Sequence, residues 1–188
     1  MGIKEPKMAI GHVQEPPMDT SYRKKPEFDD EKAKLKIIEH EGFRPDPYTD
    51  SLGFITGGIG HKFTKSDFDN FDPKWSREEK MQYWSERFEE DYERAKMGAI
   101  KIGNQYGIDM TPEKLYVLTD MNFNLGTAGV KKFKNFLSDL GKNDIEGAIL
   151  EMKQVSKDNP KPSKWYKQVP NRVESLVEIL RSSSYESS

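Results

Sequence analysis

The sequence predicts an α+β fold that is predominantly helical, with two lobes joined by one long helix. In residues 43–62, glycine and proline alternate with aromatic and β-branched residues, which indicates short strands and tight turns. From Ser76 to about residue 106, apolar residues recur every three or four positions, as on one face of a long helix. Helix caps and glycine stops then alternate to the C-terminus, which predicts a helical C-terminal lobe.

Composition limits the kind of protein this is. The 188 residues suffice for one domain or two small lobes, and the absence of cysteine excludes disulfides, thiol catalysis and thiolate metal sites. The 30 basic and 32 acidic residues leave a net charge of −2, so the chain lacks the excess of positive charge that is typical of nucleic-acid-binding proteins. No apolar run approaches the ~20 residues of a membrane span, so we expect no membrane insertion.

Residues 1–28 predict an extended, proline-containing tail. They hold four prolines and scattered charges without a helical or strand period. They also lack the apolar stretch of a secretory signal, so we expect synthesis in the cytosol without a signal peptide. The tail is either a flexible leader or a docking segment for a larger assembly.

The N-terminal lobe is predicted to span residues 29–75. Asp29 and Asp30 open its first helix, because acidic residues favour the first turn, and the helix should end near Glu41 and Gly42. Short strands follow in residues 43–62. Residues 63–75 predict a polar connection.

A connecting helix over residues 76–107 is predicted next. Ser76 and Glu79 form a capping-box pattern at its start. About 30 residues at 1.5 Å each would span roughly 40 Å, enough to bridge two lobes. Its expected buried face comprises Met81, Trp84, Phe88, Tyr92, Ala95, Ala99 and Ile102.

The C-terminal lobe is predicted to span residues 108–188. Thr111 caps a helix that should stop at Gly126, and a second helix should run from about residue 130 to 141. Asp144 caps a third helix, residues 157–162 (KDNPKP) predict a loop, and Pro170 begins the last helix.

Two carboxylates and a hydroxyl stand where glycoside hydrolysis would need them. Glu41 ends the first helix, Asp50 lies at a turn between strands, and Thr56 lies on the next strand. A helix end packed against a hairpin can bring all three around one cleft. The reaction needs one protonated carboxyl for the leaving oxygen and one ionised carboxylate for the other face of the sugar. The spacing alone also fits two ordinary members of a set of 32 acidic residues.

Three segments in order resemble the T-even phage lysozyme family. Residues 41–61 follow its active-site pattern of Glu, eight residues, Asp, five residues and Thr, with Gly-x-Gly-His soon after. Residues 121–126 (MNFNLG) are similar to its central C-terminal helix, and residues 163–172 (SKWYKQVPNR) to its signature before the last helices. The resemblance covers about residues 31–182.

The resemblance implies a lysozyme-like fold and a glycoside hydrolase, an N-acetylmuramidase that acts on bacterial peptidoglycan. Such an enzyme hydrolyses the β-1,4 bond between N-acetylmuramic acid and N-acetylglucosamine with inversion. Glu41 would be the general acid, Asp50 the base that activates a water, and Thr56 a residue that places this water. The resemblance implies no metal and no cofactor, and we expect a monomer.

The same resemblance implies supporting residues. It places Arg172 against Glu41, and it maps Phe123 and Asn124 to cleft-lining positions, although Phe123 also fits the core. Lys62 and Phe136 lie where the family often has smaller or differently charged cleft residues, so we expect both near the outer subsites.

His61 fits a metal ligand, a catalytic residue or a structural residue. The other two histidines, His12 and His40, have no ligand spacing to it. The resemblance favours a buried ion pair with an acid on the long helix, for which Asp91 is the candidate.

Three hypotheses follow for the function. The first is an active muramidase, delivered as a free endolysin with a holin, within a virion, or by a secretion machine that residues 1–28 would contact. The second is a non-catalytic glycan-binding or assembly module, which would have no need of Glu41, Asp50 and Thr56 together. The third is a lytic transglycosylase, which uses one acid and no added water, so that Asp50 with Thr56 argues against it.

Overall fold

The structure, a computed structural model, describes residues 27–50 and 53–185 and confirms the predominantly helical α+β fold. Of the predicted tail, residues 1–26 lie outside the described residues, and Phe28 packs against the core. The lobe boundaries at residues 75 and 107 stay predictions. Among the described residues, no helix combines the length and the apolar character that a membrane crossing requires.

Helix α1 (Asp30–Glu41) begins and ends where the sequence predicted. The Asp29 side chain accepts a hydrogen bond from the backbone N–H of Lys32 at 3.0 Å, and Gly42 closes the helix with a φ of 71°. Ala33 and Ile37 are buried, which fixes the helix on the core. The last residue of α1, Glu41, is thereby held just before the sheet begins.

The predicted short strands form a three-stranded antiparallel sheet. Its strands β1 (Arg44–Thr49), β2 (Ile55–Gly58) and β3 (His61–Lys62) lie in chain order. Strand β1 is an edge strand and can therefore hold prolines, which donate no ladder hydrogen bond. Thr56 pairs with Tyr48 on one side and with Lys62 on the other, so it lies in the middle of the sheet.

Two helices connect the sheet to the rest of the chain. Helix α2 (Lys65–Asn70) occupies the segment that was predicted as a polar connection, because Thr64 and Asp67 form a capping box. The long helix α3 (Arg77–Tyr106) is confirmed, with the predicted capping box at Ser76. Its predicted face is buried except for Met81, which is exposed.

Trp84 fixes helix α3 on the sheet. A Cβ atom on Gly57 would lie 2.5 Å from the Trp84 ring, and one on Gly58 would lie 2.7 Å from it. Trp84 Nε1 also donates a hydrogen bond to the carbonyl oxygen of Pro45 at 2.9 Å. The two glycines therefore allow the indole to lie directly on β2.

The predicted C-terminal helices are present, but some of their bounds differ from the prediction. Helix α4 (Pro112–Val130) begins after the predicted cap, and its regular helical backbone stops at Gly126 as predicted, at φ 68° and ψ 159°; beyond this kink a short helical stretch runs on to Val130. Helix α5 (Lys134–Gly141) starts later than predicted, and α6 (Ile145–Lys153) has the predicted Asp144 cap.

The predicted loop at residues 157–162 is part of an antiparallel hairpin, β4 (Gln154–Ser156) and β5 (Asn159–Pro162). Its prolines suggested a loop, but a two-stranded ribbon has only edge strands, which tolerate them. A short helix α7 (Lys164–Gln168), which was not predicted, and the predicted last helix α8 (Pro170–Tyr185) follow.

One hydrophobic core runs through the described chain. It includes Ile37 of α1, Tyr92 and Ile102 of α3, Leu118 of α4 and Leu176 of α8, all fully or almost fully buried. Helices α3 and α4 pack along each other. This packing brings the second half of α4 to face the sheet.

Candidate active site

A cavity of about 660 Å³ lies between the sheet region and helix α4. Glu41, Asp50 and Thr56 all line it, so the structure brings the three predicted residues to one place. The facing wall is formed by residues 122–127 of α4. The motif residues Ser51 and Leu52 lie outside the described residues.

Glu41 enters the cavity from the C-terminal end of α1. Its side chain is 18% exposed, and its Oε1 accepts a hydrogen bond from Arg172 Nη1 at 2.6 Å. Its other oxygen faces Gly60, where a Cβ atom would lie 2.7 Å from Oε2. One carboxyl oxygen is thus held by a cation, and the other lies at the turn between β2 and β3.

Arg172, which the family resemblance placed against Glu41, is buried and joins two carboxylates. Its Nε donates a hydrogen bond to Asp120 Oδ1 at 2.6 Å, in addition to the bond from Nη1 to Glu41. Burial alone would lower the pKa of Arg172, but the charges of Asp120 and Glu41 outweigh it and raise that pKa.

The contact of Asp120 with Arg172 was not predicted from the sequence. Asp120 lies on α4, and its side chain is fully buried. Tyr116 OH donates a hydrogen bond to Asp120 Oδ2 at 3.4 Å. The available signal was an acidic residue three and four positions after the apolar Val117 and Tyr116, which puts a carboxylate on the buried face of a helix.

Asp50 lies at the turn between β1 and β2. Its Oδ1 accepts a hydrogen bond from the backbone N–H of Phe54 at 2.9 Å, and its own N–H donates to the carbonyl oxygen of Phe54 at 2.8 Å. These bonds fix the carboxylate beside the start of β2. Thr56, two residues after Phe54, is 4% exposed, and its hydroxyl donates a weak hydrogen bond to the Phe54 carbonyl oxygen at 3.4 Å.

Phe123 and Asn124 line the opposite wall, where the resemblance placed them. Phe123 is partly buried against Phe88, with ring centroids 5.6 Å apart, so it also serves the core. Asn124 Oδ1 accepts a hydrogen bond from Trp165 Nε1 at 2.8 Å. This bond orients the amide of Asn124.

The two residues expected at outer subsites differ in their placement. Lys62 lines the cavity, and its Nζ lies 4.4 Å from the centroid of the Phe54 ring. Phe136 does not line this cavity: its side chain is 0% exposed within the core. Burying a large aromatic ring on the apolar face of α5 is more favourable than exposing it in a polar cleft.

His61 does contact Asp91, with 2.6 Å between Nδ1 and Oδ2. It has a second acidic partner, because its Nε2 lies 3.0 Å from Asp67 Oδ2. Burial would lower the pKa of His61, but the bonds to Asp91 and Asp67 outweigh it and raise that pKa. Asp67 was not predicted from the sequence as a partner of His61, although Thr64 and Asp67 have capping-box spacing.

Asp67 is itself firmly held. Its Oδ1 accepts from Tyr83 OH at 2.6 Å, and its Oδ2 accepts from the Thr64 backbone N–H at 2.7 Å. Burial opposes ionisation, but a hydrogen bond from the Thr64 hydroxyl, together with these bonds and the one from His61, lowers the pKa of Asp67 well below its usual range. The cluster ties α2, β3 and α3 together along one edge of the cavity.

Comparison with known proteins identifies the family. A search of curated proteins gives no match. The family model described as phage lysozyme matches residues 38–174, well over half of the chain, and this stretch includes Glu41, Asp50, Thr56 and Arg172. Together with the predominantly helical α+β fold, this match shows that the chain belongs to the phage lysozyme family.

Proposed function

We propose that this protein is an N-acetylmuramidase that cleaves the β-1,4 bond between N-acetylmuramic acid and N-acetylglucosamine by inverting hydrolysis. Membership of the phage lysozyme family supports a peptidoglycan hydrolase. The observation that carries the finer proposal is that Glu41, Asp50 and Thr56 line one cavity. Two carboxylates and a hydroxyl around one cleft are the groups that general acid–base hydrolysis of a glycoside needs.

In the proposed reaction, Glu41 gives its proton to the glycosidic oxygen while the bond from this oxygen to the anomeric carbon breaks. Asp50 takes a proton from a water molecule, whose oxygen bonds to the anomeric carbon from the opposite face. The Thr56 hydroxyl holds that water. The muramic acid gains the water oxygen, the glucosamine gains the proton from Glu41, and solvent restores both carboxyls.

The facing wall is proposed to hold the glycan. Phe123 offers an apolar ring face, which suits the apolar side of a sugar. The amide oxygen of Asn124 already accepts from Trp165, so its N–H groups are offered to the substrate. Lys62 adds positive charge beside the cavity, where the anionic groups of peptidoglycan would be attracted.

Digestion of purified peptidoglycan in ¹⁸O-labelled water tests the proposal. We expect soluble fragments with reducing muramic acid ends that carry one ¹⁸O atom. The first-formed product should have the inverted anomeric configuration by NMR. Anhydro-muramic ends would instead assign a lytic transglycosylase, and binding without release would assign a glycan-binding module.

We also propose that residues 1–28 contact the delivery partner, whether a holin, a virion or a secretion machine. The net charge of −2 gives little attraction to an anionic wall, which favours delivery by attachment. A variant lacking residues 1–26 should digest purified peptidoglycan as the full chain does, but should lose lysis of cells under its natural delivery. Unchanged lysis would contradict this proposal.

A further inference from the structure

We propose that Asp120 is a positioning residue that offsets the charge of Arg172 and thereby keeps Glu41 in the protonated form that a general acid needs. The inference rests on the proposed function, because it concerns how the same acid is made ready. It explains how a carboxyl in direct contact with a guanidinium can still hold a proton. Neither the motif nor the family match assigns Asp120.

The contacts show one cation shared by two acids. Arg172 uses Nη1 for Glu41 and Nε for Asp120, each at 2.6 Å. The Arg172 side chain is 5% exposed, the Asp120 side chain is fully buried, and the Glu41 side chain is 18% exposed. Water therefore screens the contact of Arg172 with Asp120 less than its contact with Glu41.

Counting charges shows the effect of the second acid. With Asp120 and Arg172 both ionised, the group of three is neutral when Glu41 is protonated and carries −1 when Glu41 is ionised. With a neutral residue at position 120, the group would be neutral only when Glu41 is ionised. Because burial disfavours net charge, Asp120 shifts the balance toward protonated Glu41.

The two carboxyl oxygens of Glu41 can serve separately, one for the contact with Arg172 and the other for the proton. Oε1 accepts the hydrogen bond from Arg172, which a protonated carboxyl can also do with its carbonyl oxygen. Oε2 is left for the proton. It lies beside Gly60, which lines the cavity together with Glu41, and the inference places the proton on this oxygen.

Two titratable groups next to Asp120 and Arg172 carry no charge at neutral pH. His40 on α1 is near Asp120 and Arg172, and burial lowers its pKa although Asp120 opposes this, so it is neutral at neutral pH. On α4, burial and then the charge of Asp120 raise the pKa of Tyr116, which stays protonated as a donor. Glu39 is exposed, and Asp50 approaches from the sheet side of the cavity.

The test is the pH dependence of kcat/KM in an Asp120→Asn variant. Asn keeps the size and the acceptor for Arg172 Nε but removes the charge. We expect the alkaline limb, which reports loss of the essential acid proton, to move to lower pH by about one unit or more. A merely structural role would reduce activity equally at every pH, and an unmoved limb would overturn the inference.

Two further variants separate the charge from other effects. Tyr116→Phe removes the hydrogen bond to Asp120 but keeps its charge, so its pH limb should match that of the wild type. In the double variant Asp120→Asn with Arg172→Gln, both charges are absent and the limb should return toward the wild-type position. A limb that stays displaced in the double variant would reject the charge balance. If Asp120→Asn alone does not fold, the comparison of Arg172→Gln with the double variant carries the test: the limb should lie at lower pH in the double variant, which lacks the Asp120 charge, and coincident limbs would overturn the inference.

A measurement without substrate distinguishes this inference from the proposed function. The ¹³C chemical shift of the Glu41 carboxyl, followed against pH in the wild type and in Asp120→Asn, reports its protonation directly. Earlier loss of the proton in the variant supports the role of Asp120 even if peptidoglycan is not cleaved. Coincident titration curves contradict it even if cleavage is shown.

Discussion

Gly60 faces the carboxyl group of Glu41 so closely that a Cβ atom on Gly60 would lie 2.7 Å from Glu41 Oε2. Gly60 also has a φ of 70°, which L residues with a side chain rarely adopt. The turn from β2 to β3 therefore needs glycine for its backbone and again for the space beside the acid. The sequence Gly-Ile-Gly-His combines a tight turn with a wall of the cavity.

The first prediction follows from this contact. Gly60→Ala should displace the Glu41 carboxyl and lower kcat/KM at least tenfold, in addition to a backbone cost of about 1–2 kcal/mol in stability. Gly107→Ala is the matched control, because Gly107 has a φ of 63° and nothing within 4 Å of its Cβ position. Urea unfolding and turnover of both variants separate the effects. An equal fall in activity in both would contradict a specific contact with Glu41.

The second prediction concerns the acid itself. Glu41→Gln keeps an oxygen for Arg172 Nη1 but has no proton to give, so turnover should fall by roughly 10²–10⁴-fold. Fragment release from purified peptidoglycan measures the loss, and circular dichroism checks the fold. Glu31→Gln, at the other end of α1 with a side chain that is 82% exposed, should keep wild-type activity. Turnover by Glu41→Gln at the wild-type rate would exclude Glu41 as the acid.

The third prediction concerns Trp165, whose Nε1 holds Asn124 Oδ1 at 2.8 Å. Trp165→Phe keeps an aromatic ring against Phe133 but removes this donor, so the amide of Asn124 can rotate. We expect KM to rise several-fold with a smaller change in kcat, and stability to fall by about 1–3 kcal/mol.

A double-mutant cycle supplies the control for Trp165. If the tryptophan acts on the substrate through Asn124, adding Trp165→Phe to Asn124→Ala should cause no further rise in KM. Additive effects on KM would mean that Trp165 contributes to binding by another route.

Local signals allowed much of the fold to be predicted from the sequence. The ends of α1 and the start of α3 depend on capping residues within a few positions of each other, which a single sequence displays. The helix break at Gly126 was predictable because glycine marks it, but the short helical stretch from there to Val130 was not, since it carries no cap signal of its own. The hairpin at residues 154–162 was missed because its prolines resemble those of a loop.

The site was predictable where it followed a motif and hidden where it depended on distant packing. Asp120 meets Arg172 across 52 positions, which requires knowing that α8 packs on α4. The placement of Phe136 by resemblance failed because an aromatic residue on an apolar helix face is drawn into the core. In the sequence, the helical spacing of Phe136 to Leu137 and Leu140 indicates a position on the buried face of the helix.

The last prediction concerns the pH dependence of stability. His61 has a raised pKa in the folded protein, because the hydrogen bonds to Asp91 and Asp67 outweigh its burial. A group with a raised folded pKa adds stability that is complete below its unfolded pKa, about 6.5, and is lost as pH rises through the folded pKa. The free energy of unfolding lost in His61→Asn should therefore be larger at pH 5.5 than at pH 9.

Urea unfolding of both proteins over this range at constant ionic strength measures the difference. Asp67→Asn provides the companion variant, since it leaves Asp91 in place and removes one of the two carboxylates that hold the proton on His61. Its pH dependence should lie between those of the wild type and His61→Asn. A difference between wild type and His61→Asn that stays constant across the range would show that His61 contributes by packing and not by its charge.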